Sequence, residues 1–222
     1  MNNQPYLTCS YVIHRGFSKD IFFEWIQRIN CIESIQGKGT DFYLYLTSAN
    51  LTTSDIYELL AFFRRFRVDL KQLKSFLNKE NKELFLKDEK AFWHQALFTD
   101  FDQENIKSRK KAKKATSLKS NYLMAANMKY YSLIDEQLFF EWAQKIECIK
   151  QCYVSEQTVY IELKSHKLSK KDLYDLLAFL KHYEIDMKQL LPLVTKRNQS
   201  LLDTDYCSHS VYPHDSPIIR KS

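Results

Sequence analysis

The sequence predicts an α+β protein made of two tandem, duplicated small domains, each an antiparallel sheet with helices on one face. Three observations predict it. Residues 20–77 lie over residues 137–194 at a constant offset of 117 without a gap, and 22 of the 58 positions are identical. Each copy holds one run with strand periodicity, DFYLYLTS or TVYIELKS. Each then holds a helix-start signature, LTTSD or LSKKD, before a run with helical periodicity. A repeat this long is a duplicated domain, not a solenoid unit.

Within each copy the pattern reads β-α-β-β-α-α. The opening strand is expected at Ser10–Arg15, or Met128–Ser132. A helix follows over Ser18–Ile29, or Asp135–Ile146. In copy 2, Leu138, Phe139, Trp142, Ile146 and Ile149 share one helical face; in copy 1, Phe22, Trp25 and Ile29 do. These form the core stripe.

A hairpin comes next. Phe42, Leu44 and Leu46 alternate with Tyr43, Tyr45 and Thr47, so one face of its second strand turns inward and the other carries tyrosines. Tyr43 and its counterpart Tyr160 read as packed rings whose hydroxyls reach solvent.

The second helix opens at Thr52 or Ser169, with Asp55 or Asp172 three residues on. Ile56, Leu59, Leu60 and Phe63 form its buried stripe. Tyr57 and Tyr174 sit in its first turn. A last short helix opens at Asp69 or Asp186, with Gln72 or Gln189 read as helix-start residues. The order of elements resembles an incomplete ferredoxin-like plait, with Arg67-Val68 and Glu184-Ile185 as candidates for a short final strand. The domain limits are 1–98 for the first repeat, 99–120 for a basic linker, 121–202 for the second repeat and 203–222 for a mobile C-terminal tail.

Composition narrows the function classes. Three glycines, Gly16, Gly37 and Gly39, leave no phosphate-cradling loop or dinucleotide fingerprint. Five cysteines, odd in number and irregularly spaced, suit a reducing cytoplasm better than a disulfide scaffold. Neither a secretory leader nor a transmembrane run is expected, so the reading is cytoplasmic, without a membrane partner.

The net charge of +6 is localised: Lys107–Lys119 carries seven cations and no acid. Those cations, Lys107, Arg109, Lys110, Lys111, Lys113, Lys114 and Lys119, form either a solvated linker or a sequence-nonspecific nucleic-acid contact. In a eukaryotic cell the run reads as a nuclear-localisation signal.

No catalytic residue is assigned. Cys31 and Cys148 are equivalent, yet no His is shared between the copies, so they read as small buried hydrophobes. Cys148 and Cys152, or Cys207, His209 and His214, do not make a four-ligand set present in both copies, so no metal or cofactor is expected. What the duplication does retain is FFEW. Phe23, Glu24 and Gln27, and likewise Phe140, Glu141 and Gln144, share a helical face away from the core stripe. The expectation is a non-enzymatic interaction protein, adaptor, regulatory or inhibitory, offering these two equivalent patches to a protein partner. The competing expectation for Phe23 and Phe140 is that they pack within the fold.

Overall fold

A computed structural model of the chain describes residues 4–9, 13–14, 17–39, 41–98, 121–195, 198, 210–211 and 219–220. The chain divides into two compact units. The first contains β1 (Tyr6–Cys9), helix α1 (Phe17–Arg28) from Phe22 onward, β3 (Ile32–Lys38), β4 (Asp41–Leu46) and α2 (Thr53–Phe66). A 3-10 helix (Leu70–Phe76), α3 (Lys79–Lys87) and α4 (His94–Phe98) complete its helical part. The second contains β5 (Tyr122–Ala126), α5 (Leu133–Lys145), β6 (Ile149–Ser155), β7 (Thr158–Leu163), α6 (Lys170–His182) and a 3-10 helix (Met187–Leu193). β2 (Ile13–His14), β8 (Ser210–Val211) and β9 (Ile219–Arg220) are two-residue strands.

Both sheets are antiparallel, and the two repeats share one strand order: β1-β4-β3 in the first unit and β5-β7-β6 in the second. The register is shared too. Tyr6 lies opposite Tyr45 and Tyr122 opposite Glu162, while both hairpins slip register at the same place, after Ile32 and after Ile149. In the first unit β9 adds a fourth strand beyond β3.

The expected elements form for the expected reasons. Thr52 and Ser169 close reciprocal capping boxes with Asp55 and Asp172. Each satisfies helix-start N–H groups that otherwise have no partner, an interaction of about 1 kcal/mol. Ile56, Leu59, Leu60 and Phe63 are buried, as are Leu138, Phe139, Trp142, Ile146 and Ile149. The centre of each core is an equivalent aromatic cluster. Trp25 meets Phe62 and Phe66 with ring centroids 5.9 and 5.6 Å apart; Trp142 meets Phe179 and Tyr183 at 5.3 and 5.9 Å. Removing either indole would cost about 3–5 kcal/mol.

Three expectations are corrected. The strands that open the two sheets are Tyr6–Cys9 and Tyr122–Ala126. Within the expected Ser10–Arg15, Ile13–His14 does form a two-residue strand while residues 10–12 and 15 lie outside the described residues, and no strand forms at Met128–Ser132. Asn127 ends β5 in a left-handed conformation (φ 54°), and Ser132 is the N-cap of α5, a position a strand cannot hold. No strand forms at Arg67-Val68 or Glu184-Ile185. Arg67 and Glu184 both have φ of 56°, the left-handed turn that stops a helix.

The third correction concerns Gln72 and Gln189. Asp69 and Asp186 cap their 3-10 helices by accepting from Lys71 and Lys188 N–H at 2.9 and 3.0 Å. The glutamines do bond their helix starts, Nε2 donating to the Asp69 and Asp186 carbonyls at 3.4 and 3.1 Å, but they also reach the sheet. Gln72 Oε1 accepts from the Thr8 N–H at 2.7 Å, and its Nε2 donates to the Thr8 carbonyl at 2.8 Å. Gln189 repeats both bonds on Met124 at 2.7 and 2.9 Å. One side-chain amide thus supplies a ladder rung at an edge that has no neighbouring strand among the described residues, and it blunts that edge.

The repeat also extends past its gap-free match. Asn81 donates to the Leu51 carbonyl at 3.2 Å, and Asn198 to the Leu168 carbonyl at 3.2 Å. Their Oδ1 atoms accept from Asn78 and Thr195 N–H at 2.9 and 2.6 Å. Both asparagines are 1% exposed. A single buried amide therefore ties the segment after each 3-10 helix to the turn ahead of α2 or α6.

Candidate interaction surfaces

The FFEW helices come first. Phe22 and Phe139 are fully buried; Phe23 and Phe140 are half-buried. Phe23 makes edge contacts with Phe22 and Phe42 at 5.3 and 5.8 Å. Phe140 meets Phe139 at 5.1 Å and Tyr130 at 6.4 Å. Glu24 and Glu141 are half-buried, and only Gln27 and Gln144 are exposed. The twin phenylalanine is therefore a second layer of each unit's own aromatic core.

The sheets offer a different surface. On β1 and β4, Tyr6, Tyr43 and Tyr45 occupy the face opposite the buried Leu7, Phe42, Leu44 and Leu46. Tyr6 lies between the other two rings, 5.5 Å from Tyr43 and 6.1 Å from Tyr45, and is 52% exposed. The Tyr45 hydroxyl donates to Gln36 Oε1 at 3.1 Å.

In the second unit the same face carries Tyr122, Tyr153 and Tyr160 with Met124. Tyr153 stacks on Tyr160 with centroids 5.3 Å apart and planes 11° from parallel, and it meets Tyr122 edge-on at 6.2 Å. Met124 is 47% exposed and Tyr153 is 40% exposed. The strand registers make Tyr6 equivalent to Tyr122 and Tyr43 equivalent to Tyr160. The third tyrosine differs: Tyr45 on the central strand in one unit, Tyr153 on the edge strand in the other.

The charge on these faces is sparse. Around the first cluster stand Thr8, Ser34 and Gln36. Around the second, Glu162 is held by Lys150 and Gln151 at 2.9 and 2.7 Å. The Lys150 contact keeps the Glu162 carboxyl below its ordinary range. Beside β1, a groove of about 410 Å³ is lined by Gln4, Pro5, Tyr6, Leu7, Gln72, Ser75 and Phe76.

The two equivalent cysteines sit in the cores. Cys31 and Cys148 are buried. Burial, reinforced by the nearby Asp172 carboxylate, pushes the Cys148 thiol up to about 12, so it stays protonated at neutral pH. Among the described residues no three His, Cys, Asp or Glu side chains converge in a metal-binding group. The basic residues Lys107, Arg109, Lys110, Lys111, Lys113, Lys114 and Lys119 lie outside the described residues, as do Cys207, His209 and His214.

The sequence contained the tyrosine signal, since Tyr43 and Tyr160 are identical in the gap-free match. Tyr6 and Tyr122 escaped it because β1 and β5 align at an offset of 116, one residue short of the rest. No helix among the described residues is long and apolar enough to cross a membrane. No protein-family model, curated protein or solved structure matches this chain.

Proposed function

We propose that this is a non-enzymatic interaction protein whose two equivalent tyrosine faces bind one protein partner bivalently. The carrying observation is the retention of Tyr6/Tyr122 and Tyr43/Tyr160 on the solvent side of both sheets. Core packing does not require a polar aromatic there. Tyrosine and methionine are enriched at the centres of protein interfaces, where a large ring is buried at low entropic cost. Among the described residues cations on these faces are few, Lys38 at the hairpin end of the first and Lys150, paired with Glu162, on the second, which favours a protein over a nucleic acid, whose binding rests on neutralised phosphates. Two linked sites raise avidity by about 10²–10⁴ over one, when the geometry lets both engage.

The test uses four chains: wild type, Tyr6→Ser/Tyr43→Ser, Tyr122→Ser/Tyr160→Ser, and all four together. Partners captured and identified with the wild-type chain are then titrated calorimetrically against each variant. Either double variant should weaken binding at least about tenfold, and the quadruple variant should abolish it. Melting temperatures should stay near wild type. A quadruple variant that binds as tightly as wild type removes the proposal.

A second reading rests on the seven cations of residues 107–119. They would contact nucleic acid without sequence preference, with the folded units as flanking bodies.

A further inference from the structure

The two sheets are matched strand for strand except at one edge. In the first unit the outer side of β3 is occupied: Ser34 pairs with Arg220 and Ile35 with Ile219 of β9. In the second unit β6 is the last strand of its sheet among the described residues. β6 is the counterpart of β3 in every respect that fixes an edge. Ser34 opposes Tyr45 as Gln151 opposes Glu162, Ile35 opposes Leu44 as Cys152 opposes Ile161, and the bulge falls at the same step.

Burial records the difference. Ser34 and Ile35 are 9% and 4% exposed. At the equivalent positions Gln151 is exposed and Cys152 half-buried, and beyond them Tyr153 and Val154 are 40% and 59% exposed.

A bare strand edge offers a row of unpaired N–H and C=O groups, and proteins usually blunt it. This protein blunts the opposite edge of the same sheet with Gln189. β6 contains no proline, and its one cation, Lys150, is engaged with Glu162.

We propose that the outer edge of β6 is a strand-addition site. Its occupant is an extended segment of a partner protein, apolar opposite Cys152 and basic or polar opposite Gln151. The template lies in the molecule itself, where Ile219 and Arg220 stand opposite Ile35 and Ser34. A second copy's C-terminal strand is disfavoured as occupant. That strand is held by its own chain, where tethering supplies an effective concentration in about the millimolar range. Main-chain bonds supply the affinity of such additions, and alternate side chains supply the selectivity. This site is separate from the tyrosine faces and stands or falls independently of them.

The test titrates the full chain into a fluorescein-labelled peptide of the sequence Asp215–Ser222, which contains the Ile219–Arg220 strand that pairs with β3. Anisotropy should saturate at one peptide per chain. Hydrogen exchange should slow at least about tenfold at Gln151–Val154. Backbone N-methylation at the peptide's isoleucine-219 or arginine-220 position should abolish binding for the one whose N–H faces β6. Val154→Asp, a change at an exposed position, should weaken binding at least about fivefold while the fold remains.

Absence of saturation up to about 1 mM overturns the proposal. So does protection confined to Ser34–Gln36, which would mean that the peptide displaces the chain's own β9. Concentration-dependent dimers that the peptide dissolves would overturn the partner assignment and put a second copy on this edge.

Discussion

Phe23 meets Phe42 edge-on, with ring centroids 5.8 Å apart and planes at 88°. The contact joins the helix to an inner strand of the sheet, so the second phenylalanine of FFEW contributes to the packing of its own unit. Phe23→Asp and Phe140→Asp should each destabilise their own unit by about 1–3 kcal/mol, because each places a charge against aromatic neighbours. Urea unfolding followed by tryptophan fluorescence measures this. Unchanged midpoints would return these rings to the role of a free surface.

Gln72 and Gln189 each make two main-chain hydrogen bonds to a strand 64 or 65 residues away, and Gln72 Oε1 also accepts from the Thr8 hydroxyl. Alanine at either position should cost about 1–3 kcal/mol, since both a donor and an acceptor of the strand lose their partner. Gln72→Glu keeps the acceptor and loses the donor, so it should not rescue stability. Chemical denaturation of the three variants against wild type checks the ordering.

Asp175 is 8% exposed, and burial raises its carboxyl above the ordinary range; Lys171 pulls it back down, and Asp172 and Glu147 add smaller upward pushes. The folded state therefore holds the proton more tightly than the unfolded chain. Stability from this group is present at low pH and is lost as pH rises through the folded pKa. Asp175→Asn should raise the melting temperature at pH 7, and the gain should vanish as pH falls below the ordinary carboxylate range. A constant gain across pH would show that charge is not the cause.

If the basic segment binds nucleic acid, affinity for a single-stranded oligonucleotide should fall steeply with salt. Changing Lys110, Lys111, Lys113 and Lys114 to Gln should then lower the log–log slope by about 3. Fluorescence anisotropy across a salt series gives the slope directly. A flat response in the wild-type chain removes the second reading.

The architecture was legible where local physics fixes it. The capping signatures at Thr52 and Ser169 marked real helix starts, and the buried stripes of α2 and α5 followed from periodicity. The opening strands were misplaced because YLTC and YLMAA are too short for alternation to stand out, and because the repeat shifts by one residue there. Gln72 deceived for another reason. A glutamine three residues after an aspartate has the spacing of a helix cap, and only the tertiary fold shows its amide turned toward Thr8. Asn81 and Asn198 lay just beyond the point where the two copies visibly diverge. The tyrosine faces were legible in part, at Tyr43 and Tyr160, but the pairing register was needed to bring Tyr6 and Tyr122 beside them.

Tandem copies of one fold run a particular risk during synthesis, because matching strands can be exchanged between neighbouring copies and trap the chain in a misassembled state. The final strand of a plait is the natural candidate for such exchange, since it is added last and pairs at an edge. Here that place is taken by a glutamine side chain anchored in a short helix of the same copy. A side chain has too little reach to swap, so an edge closed in this way gives the other copy no strand to exchange.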